Sequence, residues 1–343
     1  GFGGGMEHTT VSFMGGFSRD LIAHELAHQW FGDKITCGSW KDIWLNEGFA
    51  TYLTGLVREH MDGAGGFWEW RESNVLQITS APGGAVYVPE ADTLNVARVF
   101  SSRLSYSKGA MVLHMLRLKL GNDVFYQAVR NYLADADLAY AYAKTPDFQA
   151  HLEVASGLDL DEFFADWIYN EGYPSYHAEV SYGEGPQAIV TLTQQQSHPS
   201  VSYFEGLVPI RFTSPDGLVY EFMVDNTFNG QQFTVPIPFE IATVEVNATY
   251  DIISAYNTTT LDTAGFTLAE GLKLYPNPTS GQLSLDVPQG LVVESAVFYN
   301  ALGKKVLETG SQTTWDVARL STGVHYISVV TSKGTVKLKF IKE

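Results

Sequence analysis

The stretch His24-Glu25-Leu26-Ala27-His28 constrains this chain more than any other. On a helix, residues four apart lie on one face a turn apart, so both imidazoles can reach a single cation. Glu25 is rotated roughly 100° from His24, too far round to ligate comfortably but placed to hydrogen-bond a water at the cation's open position. That is the place of a general base. A third ligand has to come from a separate element, and Glu47, 18 intervening residues beyond His28 (29–46), lies in Asn46-Glu47-Gly48-Phe49-Ala50, which opens a second helical run. Two neutral imidazoles, one carboxylate and one water make a catalytic zinc site, one zinc per chain. A closed structural site is disfavoured, because such sites are rich in cysteine and Cys37 is the only one. The same count excludes an intramolecular disulfide framework, and Cys37 reads as a small buried residue rather than a nucleophile.

Composition adds exclusions. A net charge of -17 argues against binding nucleic acid or an anionic membrane by general electrostatics. No apolar run approaches the roughly 20 residues needed to span a bilayer, and no signal peptide is seen in a chain that opens at Gly1-Phe2-Gly3. Charge is spread unevenly, with 12 Lys+Arg against 22 Asp+Glu in 1–175, 1 against 10 in 176–263, and 8 against 6 in 264–343. Three segments of different chemistry predict three domains.

The first segment is mostly helical. Thr9-Thr10-Val11-Ser12-Phe13 reads as a short strand, Ser18 as the N-cap of a metal-binding helix reaching about Gly32, and 45–61 as the helix carrying Glu47. Helical periodicity returns at 108–120, 123–136, 147–155 and 161–170. From His177 the texture becomes short alternating runs (188–193, 208–213, 218–224, 232–237, 243–250) split by Gly, Pro, Asp and Asn, a β-sandwich signal. Its dearth of cations reads as a solvated acidic face. Residues 258–271 are polar and unpatterned, a linker, and strands resume from about Leu272 with Gly281, Gly290, Gly303 and Gly323 as turns.

With Glu47 in place, residues 1–175 resemble the zinc aminopeptidases of the gluzincin clan, which holds aminopeptidase N and the leukotriene-hydrolase aminopeptidase. The matching motifs are Gly4-Gly5-Met6-Glu7-His8, His24 to Gly32, Trp44 to Ala50, Ser105-Tyr106-Ser107-Lys108-Gly109-Ala110, and Asp166-Trp167-Ile168 with Gly172-Tyr173-Pro174. The resemblance implies a thermolysin-like fold. It also implies that Glu7, on a substrate strand with Gly4, Gly5 and Met6, fixes the free α-amino group of a peptide, and that the Tyr106 hydroxyl stabilises the oxyanion. Taken alone, Glu7 reads as a solvated strand-edge charge and Tyr106 as a core or rim residue.

Three departures from the family pattern stand out. His8 replaces the usual Asn. Thr54 stands where a second acidic residue commonly supports the ligands. Everything the family carries before Gly-Gly-Met-Glu is missing, so the chain looks like the carboxy-terminal part of a longer enzyme.

The last segment has its own resemblance. Leu274-Tyr275-Pro276-Asn277-Pro278-Thr279-Ser280-Gly281, Gly303-Lys304-Lys305-Val306, Leu320 to Tyr326 and the basic end 333–342 resemble the carboxy-terminal sorting domain of type IX secretion. Such domains are immunoglobulin-like sandwiches that address proteins to the outside of Bacteroidetes-type cells.

The expected architecture is a mostly α thermolysin-like zinc peptidase domain (1–175), then two small all-β immunoglobulin-like sandwiches (176–262 and 272–343) joined by a linker (263–271). The expected activity is that of a secreted or cell-surface aminopeptidase. Its partners are peptides with a free N-terminus and the type IX secretion machinery. A thermolysin-type endopeptidase, or a surface-binding protein with an unused peptidase domain, is the alternative.

Overall fold

A computed structural model describes residues 4–183, 187–262, 271–288, 290–332 and 334–343. The chain forms a helical domain followed by many β-strands in several sheets. It divides into two compact units, Gly1–Ala178 with Thr191–Phe233 and Glu240–Thr260, and Glu179–Val190 with Thr234–Phe239 and Leu261–Glu343.

In the first unit, β1 (Gly5–Met6) pairs antiparallel with β2 (Phe13–Met14). The strand expected at 9–13 is mostly a turn, closed by Val11 N–H donating to the His8 carbonyl at 3.0 Å. Helix α1 spans Arg19–Ala27, and its N-cap Ser18 accepts from the Leu21 N–H at 3.3 Å. It ends five residues short of the expected Gly32. The His28 ring turns to the Phe31 carbonyl (3.0 Å), and the Asp33 N–H takes the His28 carbonyl (2.8 Å), folding the chain toward β3 (Ile35–Cys37).

Helix α2 spans Trp44–Ile78 and changes direction at Gly63, whose φ of 70° is left-handed. The expectation of a helix ending near Met61 missed its second half. There Phe67, Trp70, Asn74, Val75 and Ile78 are buried at helical spacing. The short α3 (Val96–Val99) leads into a wide π-type turn, Ser102–Lys108, which feeds α4 (Gly109–Leu120). Helices α5 (Asn122–Ala134), α6 (Thr145–Ser156) and α7 (Asp161–Phe164) complete the bundle, with β4 (Ala141–Ala143) pairing parallel to β3.

Two features lock the region around Glu47. Helices α2 and α4 cross where Gly48 meets Gly109, so closely that a Cβ on Gly48 would sit 3.1 Å from the Gly109 backbone. Trp44 is fully buried, its indole N–H bound by Thr145 Oγ1 at 2.9 Å, while Asp42 accepts from the Thr145 N–H at 2.9 Å. Burying such a ring contributes about 1.5–3 kcal/mol. The segment entering α2 is thereby fixed to the start of α6.

Strands β5 (Pro174–Tyr182), β6 (Gln187–Gln196), β7 (Gly206–Thr213), β8 (Val219–Asn226), β9 (Gln231–Pro236), β10 (Thr243–Val246) and β11 (Thr258–Leu261) form sheets ordered β11-β5-β6-β9 and β10-β7-β8. Strand β11 corrects the reading of 258–271 as linker. Its threonines suit a pleated surface despite their polarity, and Thr259 Oγ1 donates to the Val244 carbonyl at 2.9 Å. Most of the expected linker, 263–270, lies outside the described residues, as do Gly1-Phe2-Gly3 and Lys333.

The second unit contains β12 (Lys273–Tyr275), β13 (Gln282–Asp286), β14 (Val293–Asn300), β15 (Lys305–Thr309), β16 (Thr314–Asp316), β17 (Gly323–Thr331) and β18 (Gly334–Lys342), in sheets ordered β12-β13-β16 and β15-β14-β17-β18. Leu283, Phe298, Trp315, Ile327 and Phe340 are central to their shared core. The Asn277 side chain brackets β18, donating to the Lys339 carbonyl (3.1 Å) and accepting from the Ile341 N–H (2.8 Å). Among the described residues no helix is long and apolar enough to cross a membrane.

Candidate metal centre

Helix α1 presents His24, and its C-cap His28 one turn on, toward the first turn of α2, where Glu47 sits. His24 Nε2 lies 3.2 Å from Glu47 Oε2, His28 Nε2 lies 3.3 Å from the same oxygen, and the two ring nitrogens are 3.1 Å apart. His28 is 1% exposed and donates from Nδ1 to the Phe31 carbonyl, which turns Nε2 inward. Burial alone would raise the Glu47 carboxyl, but its contacts with His24 and His28 outweigh that and hold it at about 2. It therefore offers a full negative charge.

Three donors of two types meet at one point with room on one side, which is the donor chemistry of a catalytic zinc site. The residues present fit a divalent zinc ion.

Glu25 is also buried, 4% exposed, and its Oε2 has no hydrogen-bond partner among the described residues. An orphaned buried carboxylate oxygen is costly and points to a group that completes it. Burial raises this carboxyl, against the opposing pull of His24 and His28. Its place depends on Gly5 of β1, because a Cβ there would lie 2.1 Å from Glu25 Oε1. Gly5 thus serves as space, a role that the motif alone did not specify.

Glu7 follows β1, and its carboxylate, Glu25 and His28 each bring an atom within 4.8 Å of the others. Among the described residues nothing donates a hydrogen bond to Glu7. Tyr106 stacks on His24 with ring centroids 5.9 Å apart and planes 8° from parallel. Burial, reinforced by Glu47, pushes its phenol well above the usual tyrosine value, so it remains a neutral donor. A cavity of about 490 Å³ is lined by Gly4, Gly5, Glu7, His24, Glu25, His28, Glu47 and Tyr106. A wider cleft of about 1080 Å³ runs from Met6, Glu7, Glu47 and Tyr106 toward Trp40 and Phe100.

The departures from the family pattern also have visible consequences. His8 packs edge-on against Phe13 at 5.4 Å. Thr54 bonds back to the Ala50 carbonyl of its own helix at 3.1 Å rather than to a ligand. Cys37 is half-buried in the cleft wall rather than fully buried, its N–H held by Asn46 Oδ1 at 3.1 Å, and burial pushes its thiol up to about 12, far from a nucleophile.

Residues 17–167 match the model of the Peptidase family M1 domain, and residues 273–343 match that of the Secretion system C-terminal sorting domain. Aminopeptidase M1 of Arabidopsis thaliana is 34% identical over 201 residues, covering 55% of this chain and 21% of that protein. The leucyl aminopeptidase of Saccharolobus solfataricus is 34% identical over 169 residues, covering 47% and 21%. The crystal structure of Legionella pneumophila aminopeptidase A in complex with aspartic acid aligns with a TM-score of 0.50 at 19% identity, covering 70% of this chain and 26% of that one, a likeness of fold. The chain spans about a fifth of the length of the curated relatives it matches.

Proposed function

We propose that this chain, whose residues 17–167 match the Peptidase family M1 domain and whose residues 273–343 match the secretion-system sorting domain, belongs to a secreted, zinc-dependent aminopeptidase. The domain is of a metallopeptidase class, hydrolases of peptide bonds. His24, His28 and Glu47 would hold one zinc ion per chain, which when bound supplies Lewis-acid polarisation.

The residues divide the remaining work. Glu25 takes the proton of the attacking water at its carboxylate and returns it to the leaving amine. Tyr106 Oη donates to the charge that develops on the scissile carbonyl oxygen. Glu7 pairs with the α-ammonium, with Gly4, Gly5 and Met6 alongside the substrate backbone. The observation that carries the aminopeptidase reading is the Glu7 carboxylate beside Glu25 and His28, without a donor of its own among the described residues. A carboxylate held at a fixed short distance from the reacting bond selects chain ends.

The test is turnover of an aminoacyl anilide by the full-length protein, with loss on chelation and recovery with zinc. Absence of turnover by a zinc-loaded, folded protein would leave the surface-binding alternative.

The domains are proposed as 1–175, 176–262 and 272–343 with a linker at 263–271, the two β segments as immunoglobulin-like sandwiches, and the last as an address read by type IX machinery of a Bacteroidetes-type cell. Deleting 272–343 from the full-length protein should leave peptidase activity and zinc content intact while retaining the enzyme inside the cell. Undiminished export without this segment, or catalysis lost with it, contradicts the assignment.

A further inference from the structure

Lys108 is 1% exposed, and among the described residues its ammonium donates one hydrogen bond, to the Gly84 carbonyl at 3.1 Å. A buried ammonium with one partner is costly, and an apolar side chain of similar length would ordinarily be more stable there. The position stands two residues after Tyr106, at the end of the wide turn.

The Tyr106 N–H reaches the Ser101 carbonyl at 3.4 Å, long for such a bond, while the neighbouring Ser105 N–H takes the same oxygen at 2.9 Å. Side-chain anchors tie the turn to its surroundings on two sides. On one side Ser107 Oγ donates to Gln77 Oε1 at 2.8 Å, and Gln77 Nε2 to Ser102 Oγ at 3.1 Å. On the other, Lys108 grips Gly84, whose own N–H is fixed by Glu171 Oε2 at 2.7 Å. Arg103 of the same turn reaches the Ile78 carbonyl at 3.1 Å.

We infer that Lys108 is a positioning residue for Tyr106, its buried ammonium tying the end of the π-type turn to the Gly84 carbonyl so that the phenol stays over His24 and aimed at the reacting carbonyl. The inference rests on the oxyanion role proposed for Tyr106. A shift of about 1 Å in such a group can cost roughly 10²-fold in rate without touching the groups that bind substrate or metal.

The test is a double-mutant cycle on the full-length protein, with kcat, KM and zinc content measured for Tyr106→Phe, Lys108→Met, Lys108→Gln and each Lys108 variant combined with Tyr106→Phe. Lys108→Met should lower kcat roughly 10²-fold with KM and zinc unchanged. Lys108→Gln keeps a donor toward Gly84 and should lose less, roughly tenfold. Neither should slow the enzyme further once the Tyr106 hydroxyl is gone, because a positioning effect vanishes with the group positioned. Lys108→Gln carries the same cycle if Lys108→Met does not fold. Multiplying losses in the double variants, or an unchanged kcat in both single Lys108 variants, overturns the inference while leaving the aminopeptidase reading standing. An unchanged kcat in Tyr106→Phe alone removes Tyr106 from the mechanism and with it the reason for the clamp.

Discussion

Glu25→Gln is expected to leave one zinc per chain and to lower kcat by roughly 10⁴-fold, whereas His28→Ala is expected to lose the metal itself. The two variants differ because α1 aims its side chains differently. His28 Nε2 meets His24 and Glu47 at 3.1 and 3.3 Å, so its removal breaks the donor set. Glu25 lies beside that donor set and is packed over Gly5, with Oε2 free of a hydrogen-bond partner among the described residues. Glutamine matches its shape and keeps the surrounding contacts, but its amide cannot take a proton from water. Elemental analysis alongside kcat on the full-length protein separates the roles. Metal loss in Glu25→Gln as great as in His28→Ala would make Glu25 a ligand and sink the assigned base.

The meeting of His24, His28 and Glu47 was legible in the sequence because helical spacing puts residues 24 and 28 on one face, and Asn46-Glu47-Gly48 opens the adjoining helix. The end of α1 was not. It is set by the His28 ring turning to the Phe31 carbonyl, a contact that no periodicity encodes. The second half of α2 was not legible either, since Gly63 redirects the helix at φ 70° without ending it, in a region whose Phe67, Trp70 and Val75 are buried. Strand β11 was hidden by its polarity, since three threonines look like linker until β-branching is weighed. Lys108 was hidden for the opposite reason. A lysine before an apolar helix reads as solvated, and only the fold shows it enclosed beneath the turn that bears Tyr106.

N-terminal acetylation of a good peptide substrate should abolish its cleavage, by roughly 10⁴-fold or more in kcat/KM. Acetylation removes the positive charge and leaves the Glu7 carboxylate without the partner that the site provides for, and sites built around a polar partner reject analogues lacking it far more strongly than apolar pockets reject a missing methylene. The steric term acts in the same direction. Glu7, Glu25 and His28 lie within 4.8 Å of one another, so the space beyond the first residue's nitrogen is already occupied by a carboxylate. Glu7→Gln should then weaken free peptides by a large factor while changing acetylated ones little, since the amide neither repels nor pairs as a charge does. An endopeptidase predicts indifference to acetylation, because its cleft must pass chain on both sides of the cut and gains nothing from a terminal ammonium. Comparable cleavage of acetylated and free peptides by the full-length protein would therefore replace the aminopeptidase reading with the endopeptidase one, and Glu7 would return to being a strand-edge charge beside a metal centre.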